Sequence, residues 1–335
     1  MSADHIQPGK IYTRADLHEI FGGSTQGGII PSRTTPNILL FTDHAKAKLF
    51  GYQDGWLAEE DTLGPVFEYT GQGTRGDQSL AGNNGSVLRH VAEGRALHHF
   101  VAVGSVGNTG TRTHRYVGQF TLDEDEPFVL RRVLDDQKNM RWVYVFRLRP
   151  VQDVERQPQD FVPAPAATKV TSEKAVPIAD PALFELKPAK ATVSQAAKPE
   201  KNSGKKITRK ATQAVEAKRR EAELSDRFLA HLEQQGHSVS RFKIRIEGLT
   251  STFWTDLYDE TDNVLYEIKG NSGRDAVRYA IGQLLDYRRH IEAEGAQLAI
   301  LLPEKPEADL ASLIEAAGMH LAHQDGGTFA GWPIP

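Results

Sequence analysis

The feature that most constrains the fold of this chain is a change of composition between residues 151 and 206. That stretch is rich in Pro, Ala and Lys and has few large apolar residues, so it cannot bury enough surface to offset its chain entropy. The chain has 335 residues, which is more than one hydrophobic core usually holds. The sequence therefore predicts two domains, residues 1–150 and 207–335, joined by a linker over residues 151–206.

The segment before this linker consists of short apolar runs separated by turn residues. The runs are NILLF (37–41), PVFEYT (65–70), LHHFVAVG (97–104), HRYVGQFTL (114–122) and RWVYVFRLRP (141–150). Short strands at this spacing predict a mostly β domain, folded as a curled sheet or barrel. Two short helices are predicted, over residues 14–23 and 83–95.

The segment after the linker alternates between helical and strand patterns. A long amphipathic helix closed by Gly236 is followed by apolar strand segments and two further helices. The predicted order is α-β-β-β-α-β-α-β. This order is typical of a mixed α/β sheet with helices packed on it, so the fold class is a two-domain α+β protein.

Composition narrows the possible partners and cofactors. The chain has no cysteine, which excludes disulfides and thiolate zinc sites, and no 18-residue apolar run. Its first residues lack the pattern of a signal peptide, so a cytoplasmic protein with no membrane partner is expected. The net charge is −4, yet eleven Lys or Arg face two Glu between Lys187 and Arg220. This basic stretch is either a footprint for phosphates or a solvated linker and helix face.

The segment TDLYDETDNVLYEIKG (255–270) carries the most compact chemistry. Asp256 and Glu267 lie on two predicted strands joined by a tight turn, which can bring both carboxylates together at one end of a sheet. Paired carboxylates suit Mg²⁺, with Mn²⁺ as a substitute. Lys269 shares a strand face with Glu267, where its ammonium can orient or deprotonate a water. The other acids of the segment are assigned to a solvated turn: Asp259, Glu260 and Asp262.

This arrangement resembles the D-x(n)-E-x-K motif of the PD-(D/E)XK nuclease superfamily, over about residues 215–325. The resemblance implies a further acid on the preceding helix, for which Glu223 is the first candidate and Glu216 the second. It also implies a site role for Gln283 and Tyr287, which share one helix face at i and i+4 and look like the Q-x-x-x-Y element of some members. The alternative interpretation of the E-x-K pair is a surface ion pair.

The N-terminal segment carries a second set of ordered motifs: YQDGW, FEYTGQG, GD, GN, GRALHHF and RYVGQF. Over roughly residues 8–150 these resemble SRA domains, in particular the SRA-like module of McrA-type, ScoMcrA-like restriction enzymes. The resemblance implies that this domain flips a modified cytosine out of duplex DNA and holds it in an aromatic pocket.

Pocket residues follow from the resemblance position by position. Tyr69 and Thr70 match the pocket tyrosine and its neighbour, while Asp77 and Asn83 match the acid and the G-N turn that come next. Trp56 is a candidate second stacking surface, and its alternative role is a core aromatic. His98, His99 and His114 are expected to be structural histidines.

Two features of the pocket stay open in the sequence. An acidic partner is expected for the exocyclic amine of cytosine, and Asp61, Glu60 and Asp54 are all candidates. Asn84 and Gly85 stand where mammalian SRA proteins have basic residues that help to read the duplex. The group that fills the position vacated by the flipped base is therefore not identified.

Together these features predict a modification-dependent, type IV-like restriction endonuclease. Its first domain would bind double-stranded DNA that contains 5-methylcytosine or 5-hydroxymethylcytosine, and its second would hydrolyse phosphodiesters with Mg²⁺. Because both strands must be cut, a homodimer is expected. The alternatives are a non-catalytic reader of modified DNA and a repair or structure-specific nuclease.

Overall fold

The computed structural model describes residues 6–107, 109–178, 180–186 and 203–335. Chain contacts divide the molecule into two units, one formed by Met1–Val162 with Pro181–Ala214 and the other by Pro163–Asp180 with Val215–Pro335. Residues 187–202 lie outside the described residues. They belong to the second half of the predicted linker and include the first part of the basic stretch. Each unit is described by itself below.

The first unit is built on one sheet of nine strands. The strands are β1 (Ile11–Thr13), β2 (Ile29–Pro31), β3 (Asn37–Thr42), β4 (Gly55–Trp56), β5 (Phe67–Thr70), β6 (Ala96–Ser105), β7 (Arg112–Leu122), β8 (Phe128–Leu134) and β9 (Met140–Pro150). Their order is β2-β3-β6-β7-β9-β5-β4, with β1 paired to β7 and β8 paired to β9. Neighbours are antiparallel except for β3 and β6, which run parallel. The β-rich domain predicted from the sequence is confirmed.

Short helices connect these strands: α1 (Arg14–Phe21), α2 (His44–Ala47) and α3 (Gly82–Leu88), with 3₁₀ turns at Lys48–Phe50 and Pro158–Asp160. A capping box fixes the start of α1, because the Thr13 hydroxyl accepts from the backbone of Asp16 and the Asp16 carboxylate accepts from Thr13. Phe21 at its other end is buried against the sheet with Phe100. These contacts hold α1 against the strands next to the candidate pocket.

The second unit is a mixed sheet of eight strands with helices. The strands are β10 (Lys169–Lys174), β11 (Val239–Arg245), β12 (Phe253–Trp254), β13 (Leu257–Asp259), β14 (Val264–Ile268), β15 (Gln297–Leu302), β16 (His320–Asp325) and β17 (Thr328–Ala330). Their order is β10-β11-β13-β14-β15-β16-β17, with β12 paired to β11. The pairs β14–β15 and β15–β16 are parallel. The mixed α/β class predicted for this half is confirmed.

The remaining helices are α4 (Pro181–Phe184), α5 (Ser203–Gln234), α6 (Arg274–Arg288) and α7 (Ala308–Ala316). Apolar residues of α5, including Leu224 and Phe228, share a buried cluster with Tyr266 and Ile268 of β14. Leu265, which alternates with them, belongs to a second cluster with residues of α6 and α7. The sheet therefore has a hydrophobic core on each face. Glu267 and Lys269 follow Leu265 by two and four residues, so they lie on the same face of the strand as Leu265.

The structure divides the predicted linker. Residues 151–162 belong to the first unit, where Val162 is buried and bonds through its backbone to Trp56. Residues 169–174 form β10, whose six residues pair with β11 from Lys169–Arg245 to Lys174–Ser240. The sequence KVTSEK contains one large apolar residue, because an edge strand held by backbone hydrogen bonds needs little hydrophobic patterning. Composition alone could not reveal it.

In the part of the chain that the structure describes, no helix is long and apolar enough to cross a membrane.

Candidate functional sites

The first candidate site lies where β13 and β14 meet. Leu257 pairs with Tyr266, so Asp256 and Glu267 are the next residues on the two strands and lie opposite each other. The Asp256 carboxylate accepts a hydrogen bond of 2.7 Å from the Ile268 backbone N–H, which fixes it across the hairpin. The structure thus brings the two predicted metal ligands together.

Glu267 and Lys269 form a buried ion pair. Lys269 Nζ donates to Glu267 Oε1 at 2.6 Å, and the two residues are 8% and 2% exposed. Burial and the nearby Asp256 carboxylate raise the pKa of Glu267 to about 8. Burial alone would lower the pKa of Lys269, but the surrounding carboxylates outweigh it and raise that pKa. A solvated surface pair would not show this burial, so the surface interpretation does not fit.

Asp256 experiences the same crowding of negative charge. Its pKa is raised, first by burial and then by Glu221, against the opposing effects of Lys269 and Lys218. Excess negative charge on hard oxygen donors is the chemistry that a divalent cation requires. Asp256 and Glu267 therefore fit a Mg²⁺ or Mn²⁺ site.

The helix acid at this site is Glu221, and not the predicted Glu223. Glu221 acts electrostatically on Asp256, Glu267 and Lys269. Glu223 instead pairs with Arg219 at 2.7 Å on a partly exposed side of α5.

Glu216, the second candidate, pairs with the same arginine. A signal for Glu221 was present in the sequence: it precedes the buried Phe228 by seven residues, two helical turns, and so shares its face, whereas Glu223 does not. Residue type alone does not distinguish the two acids.

A glycine allows α5 to lie close to the site. A Cβ added at Gly270 would lie 2.7 Å from the Ala217 carbonyl oxygen and 3.1 Å from the Glu221 backbone nitrogen. Only a residue without a side chain permits this approach. Gly270, which directly follows Lys269, is a residue that the motif analysis missed.

Helix α6 supplies the last two predicted site residues, Gln283 and Tyr287. Gln283 Nε2 donates to the Tyr287 hydroxyl at 3.1 Å, as expected for positions i and i+4 on one face. Burial and the charge of Glu267 raise the pKa of Tyr287. Tyr279 lies on α6 one turn before Gln283. Lys269 Nζ is 5.3 Å from the centre of the Tyr279 ring, which is within cation–π range. Tyr279 was not singled out from the sequence.

The turn of the same hairpin corrects one assignment. Asp259 is fully buried rather than solvated, and it accepts from His237 Nδ1 at 2.7 Å and from the Thr261 backbone at 3.0 Å. Asp262 lies within reach of the same imidazole at 4.0 Å. Because Asp259 is satisfied by these donors, it serves as a turn-forming residue.

The second candidate site is in the first unit, at the end of β5. Tyr69 is almost fully buried, and its hydroxyl donates to the Gly28 carbonyl at 2.9 Å. The Thr70 backbone N–H donates to Asp54 Oδ1 at 2.8 Å. Burial and the nearby Asp54 carboxylate raise the pKa of Tyr69. Tyr69, Thr70 and Asp54 therefore form one cluster.

Of the three candidate acids, only Asp54 belongs to this cluster. Its pKa is raised by burial to about 6, against the lowering effect of hydrogen bonds from Thr70 and Thr42. Asp61 is half exposed and bonded to Arg149 at 2.9 Å, which holds the pKa of Asp61 below its ordinary value.

Glu60 is bonded to Arg156 at 2.7 Å and has no contact with the cluster among the described residues. Of the three candidates for the acidic partner of the cytosine amine, the structure thus leaves Asp54.

The other predicted pocket residues have structural roles. Trp56 is fully buried in an aromatic core with Phe67 and Phe120, at centroid distances of 5.3 and 5.7 Å, which fits its alternative role as a core aromatic. Asp77 accepts from the Trp142 backbone at 2.7 Å, and Asn83 donates to the Ile29 carbonyl at 2.9 Å.

Asn84 cannot fill a vacated base position. It is buried, and its amide bonds to both the N–H and the carbonyl of Gln72, at 2.7 and 2.9 Å. A Cβ added at Gly85 would lie 2.1 Å from the Leu80 carbonyl oxygen. Both residues brace the loop that follows β5.

Tyr52 is a pocket neighbour that the motif comparison did not single out. Its hydroxyl accepts from Arg141 Nη2 at 2.8 Å and donates to the Gly73 carbonyl. Tyr52 also acts on the Tyr69 hydroxyl electrostatically. It lies within the YQDGW segment, two residues before Asp54, so its position in the motif was the available signal.

Comparison with known proteins identifies the first unit. Residues 8–169 match the family described as ScoMcrA-like, SRA domain. They are an SRA domain of this type, as the motifs predicted, and the match extends past the predicted boundary at residue 150. No curated protein sequence matches the chain.

Solved structures with low overall similarity include two of restriction enzymes. The type IV phosphorothioation-dependent restriction endonuclease ScoMcrA matches with 21% identity and a TM-score of 0.32, over 47% of this chain and 28% of that one. The DNA recognition domain of the cytosine modification-dependent restriction endonuclease LpnPI matches with 13% identity and a TM-score of 0.33, over 44% and 76%.

A third is the SRA domain of SUVH5 bound to fully methylated CG DNA, with 17% identity and a TM-score of 0.31, over 46% of this chain and 95% of that one. Of the three matched structures that rank first, which include ScoMcrA, the chain covers less than half of the length: 28%, 43% and 34%.

Proposed function

We propose that this protein is a modification-dependent restriction endonuclease. Its SRA domain would bind double-stranded DNA containing 5-methylcytosine or 5-hydroxymethylcytosine, and its second unit, of the PD-(D/E)XK type, would cut the phosphodiester backbone. One observation supports the cutting activity above the others. Asp256, Glu267 and Lys269 lie together at one end of a buried hairpin, beside an acid from a neighbouring helix.

The proposed base reading rests on the cluster at the end of β5. The Tyr69 ring would stack on the flipped base, and Asp54 would accept a hydrogen bond from the exocyclic amine of cytosine. Because the Thr70 backbone already bonds to one oxygen of Asp54, the orientation of the carboxylate is set before DNA binds. Preorganisation of this kind lowers the entropic cost of binding.

The proposed cleavage rests on the carboxylates and the lysine. Asp256 and Glu267 would hold a Mg²⁺ ion, for which Mn²⁺ could substitute, and the bound cation would stabilise negative charge on the phosphate. Lys269, kept protonated by its carboxylate neighbours, would orient the attacking water or the scissile phosphate. Glu221 would add a third carboxylate, and Gln283 would fix the Tyr287 ring beside Glu267.

Two further features belong to the proposal. Cleavage of both strands calls for two active sites, so we expect a homodimer on DNA. The chemistry and the absence of cysteine suit a cytoplasmic enzyme that degrades modified foreign DNA.

The test is cleavage of matched plasmids that carry unmodified cytosine, 5-methylcytosine, 5-hydroxymethylcytosine or glucosylated 5-hydroxymethylcytosine, each with and without Mg²⁺. We expect cuts only in a modified plasmid with the cation present. The variant D256A should bind the same plasmid without cutting it. Cleavage by D256A would refute the assigned site, and equal cleavage of all plasmids would indicate a nuclease that does not read the modification.

Binding without cleavage by the unaltered protein, under all cation conditions, would leave the non-catalytic reader as the function. The same assay therefore separates the proposal from both of its alternatives.

A further inference from the structure

A buried imidazole lies behind the acid of the base pocket. His99 of β6 is fully buried, and its Nε2 is 3.0 Å from the hydroxyl of Thr42, at the end of β3. The parallel pairing of these strands, Leu40 with His99, sets this contact. Thr42 is also buried, and its hydroxyl donates to Asp54 Oδ2 at 3.2 Å. The three side chains form a continuous hydrogen-bonded row.

One hydroxyl hydrogen decides how this row is arranged. Burial lowers the pKa of His99 to about 3, so the ring is neutral and carries a single N–H. When Asp54 is ionised, it can only accept, and Thr42 must give it the hydroxyl hydrogen. The Thr42 oxygen then accepts from His99, which requires the tautomer with the hydrogen on Nε2. When Asp54 is protonated, the row can reverse and the other tautomer is required.

We propose that His99 and Thr42 are positioning residues that hold Asp54 in the ionised, hydrogen-bond-accepting state, and that this state makes the pocket select cytosine over thymine. The inference rests on the proposed base-reading function and deepens it. Cytosine presents an exocyclic amine, which donates, and thymine presents a carbonyl oxygen at the same position, which accepts. An ionised Asp54 therefore pairs with the first and repels the second, whereas a protonated Asp54 could donate to thymine.

Other charged groups face this row from the surrounding elements. Asp160 acts on His99 and is itself bonded to Arg115, a buried residue of β7. His44 of α2 lies 3.5 Å from Asp160 and also acts on Asp54. The Tyr69 hydroxyl faces Asp54 from β5. His44 is a second imidazole that acts on this row, so it needs its own control.

Removal of the Thr42 hydroxyl is the direct test. Binding of a modified-cytosine duplex should fall as the pH drops through the pKa of Asp54, which is about 6 in the free protein. In T42V, the charged form of Asp54 loses a hydrogen-bond donor. The pH midpoint at which DNA binding is lost should therefore move up by about one pH unit. T42S, which keeps a hydroxyl, should restore the midpoint. H44Q removes a group that acts on Asp54 from outside the row, and the difference between T42V and T42S should persist in the H44Q background.

A measurement without DNA tests the same idea, and its first part uses the unaltered protein, so it holds even if T42V is poorly folded. Histidine ¹⁵N spectra of the full-length protein above pH ~7 should show His99 with its hydrogen on Nε2, and the ¹³C titration of the Asp54 carboxyl should move up in T42V. A hydrogen on Nδ1, or a midpoint in T42V that does not differ from that of T42S, in either the unaltered or the H44Q background, would each overturn the inference. If the unaltered protein does not prefer modified DNA at any pH, the proposed function fails instead.

Discussion

Lys269 Nζ lies 2.6 Å from a carboxylate oxygen of Glu267, two residues earlier on the same strand, and both side chains are buried. Residues two apart on a strand point to one face, so the pair is a direct result of the E-x-K spacing. A buried pair of this kind is weak evidence for stability, because desolvation offsets much of the attraction. The burial of this pair beside a second carboxylate fits a cation-binding role better than a stabilising one.

The two glutamates of α5 provide a matched pair of variants. Glu221 acts on the carboxylates and the lysine of the site, whereas Glu223 pairs with Arg219 on the exposed side. We expect E221Q to lower the cleavage rate by about 10- to 100-fold, in the range of changes next to a metal ligand, and E223Q to have little effect. Initial rates on a modified plasmid measure both. Equal rates for the two variants would contradict the assignment of Glu221.

Gly270 makes a steric prediction. In G270A the new methyl group would meet the backbone of α5 at Ala217 and Glu221, so the helix must move away from the carboxylates. We expect a loss of cleavage of at least ~10-fold, because small displacements of site groups are costly, with binding of modified DNA unchanged. The matched control is G282A in α6, where a Cβ would meet no atom within 4 Å. Full activity in G270A would show that α5 does not position the site.

Asp54 and Asp61 give a second matched pair. D54N removes the carboxylate that bonds to Thr70 and Thr42, whereas D61N alters an exposed partner of Arg149. We expect D54N to weaken binding of a modified duplex by about 10- to 100-fold, the effect of one lost hydrogen bond to a charged group. Affinity for unmodified DNA should not change in either variant. Titration of labelled duplexes gives both values, and weaker binding in D61N alone would place the reading acid elsewhere.

The pKa of Glu267 predicts a pH-dependent cation affinity. Burial and Asp256 raise this pKa to about 8, so below that pH the residue must release a proton before it binds a cation. The affinity for Mg²⁺ should therefore rise up to ~tenfold per pH unit below pH ~8 and level off above it.

Calorimetry in two buffers with different ionisation enthalpies should detect close to one released proton at neutral pH, and E267Q should abolish the release. An affinity that does not change with pH would contradict this account.

Much of the site around Asp256 and Glu267 followed from spacing along the chain. A short turn between two strands was enough to predict that Asp256 and Glu267 lie opposite each other, and the observed register places them there. Gln283 and Tyr287 followed from helical periodicity. These relations are local, and local geometry can be derived from residue order.

The open choices and the errors arose where distant residues decide the outcome. Asp61 could not be separated from Asp54 in the sequence, because its partner Arg149 is 88 positions away. Trp56 has the residue type of a stacking surface, yet strands that are remote in the sequence enclose it. Strand β10 was missed because its pairing uses backbone groups, which composition does not report.

The position of β10 has a practical consequence for anyone who divides the protein into fragments. A cut at residue 207, where composition suggests that the second domain begins, would remove the strand that pairs with β11 along six residues. The unpaired backbone donors and acceptors of β11 would then form an open edge, which favours association of the fragment with itself. A fragment that begins at Pro163 keeps this edge covered, because Pro163–Asp180, which contains β10, belongs to the second unit.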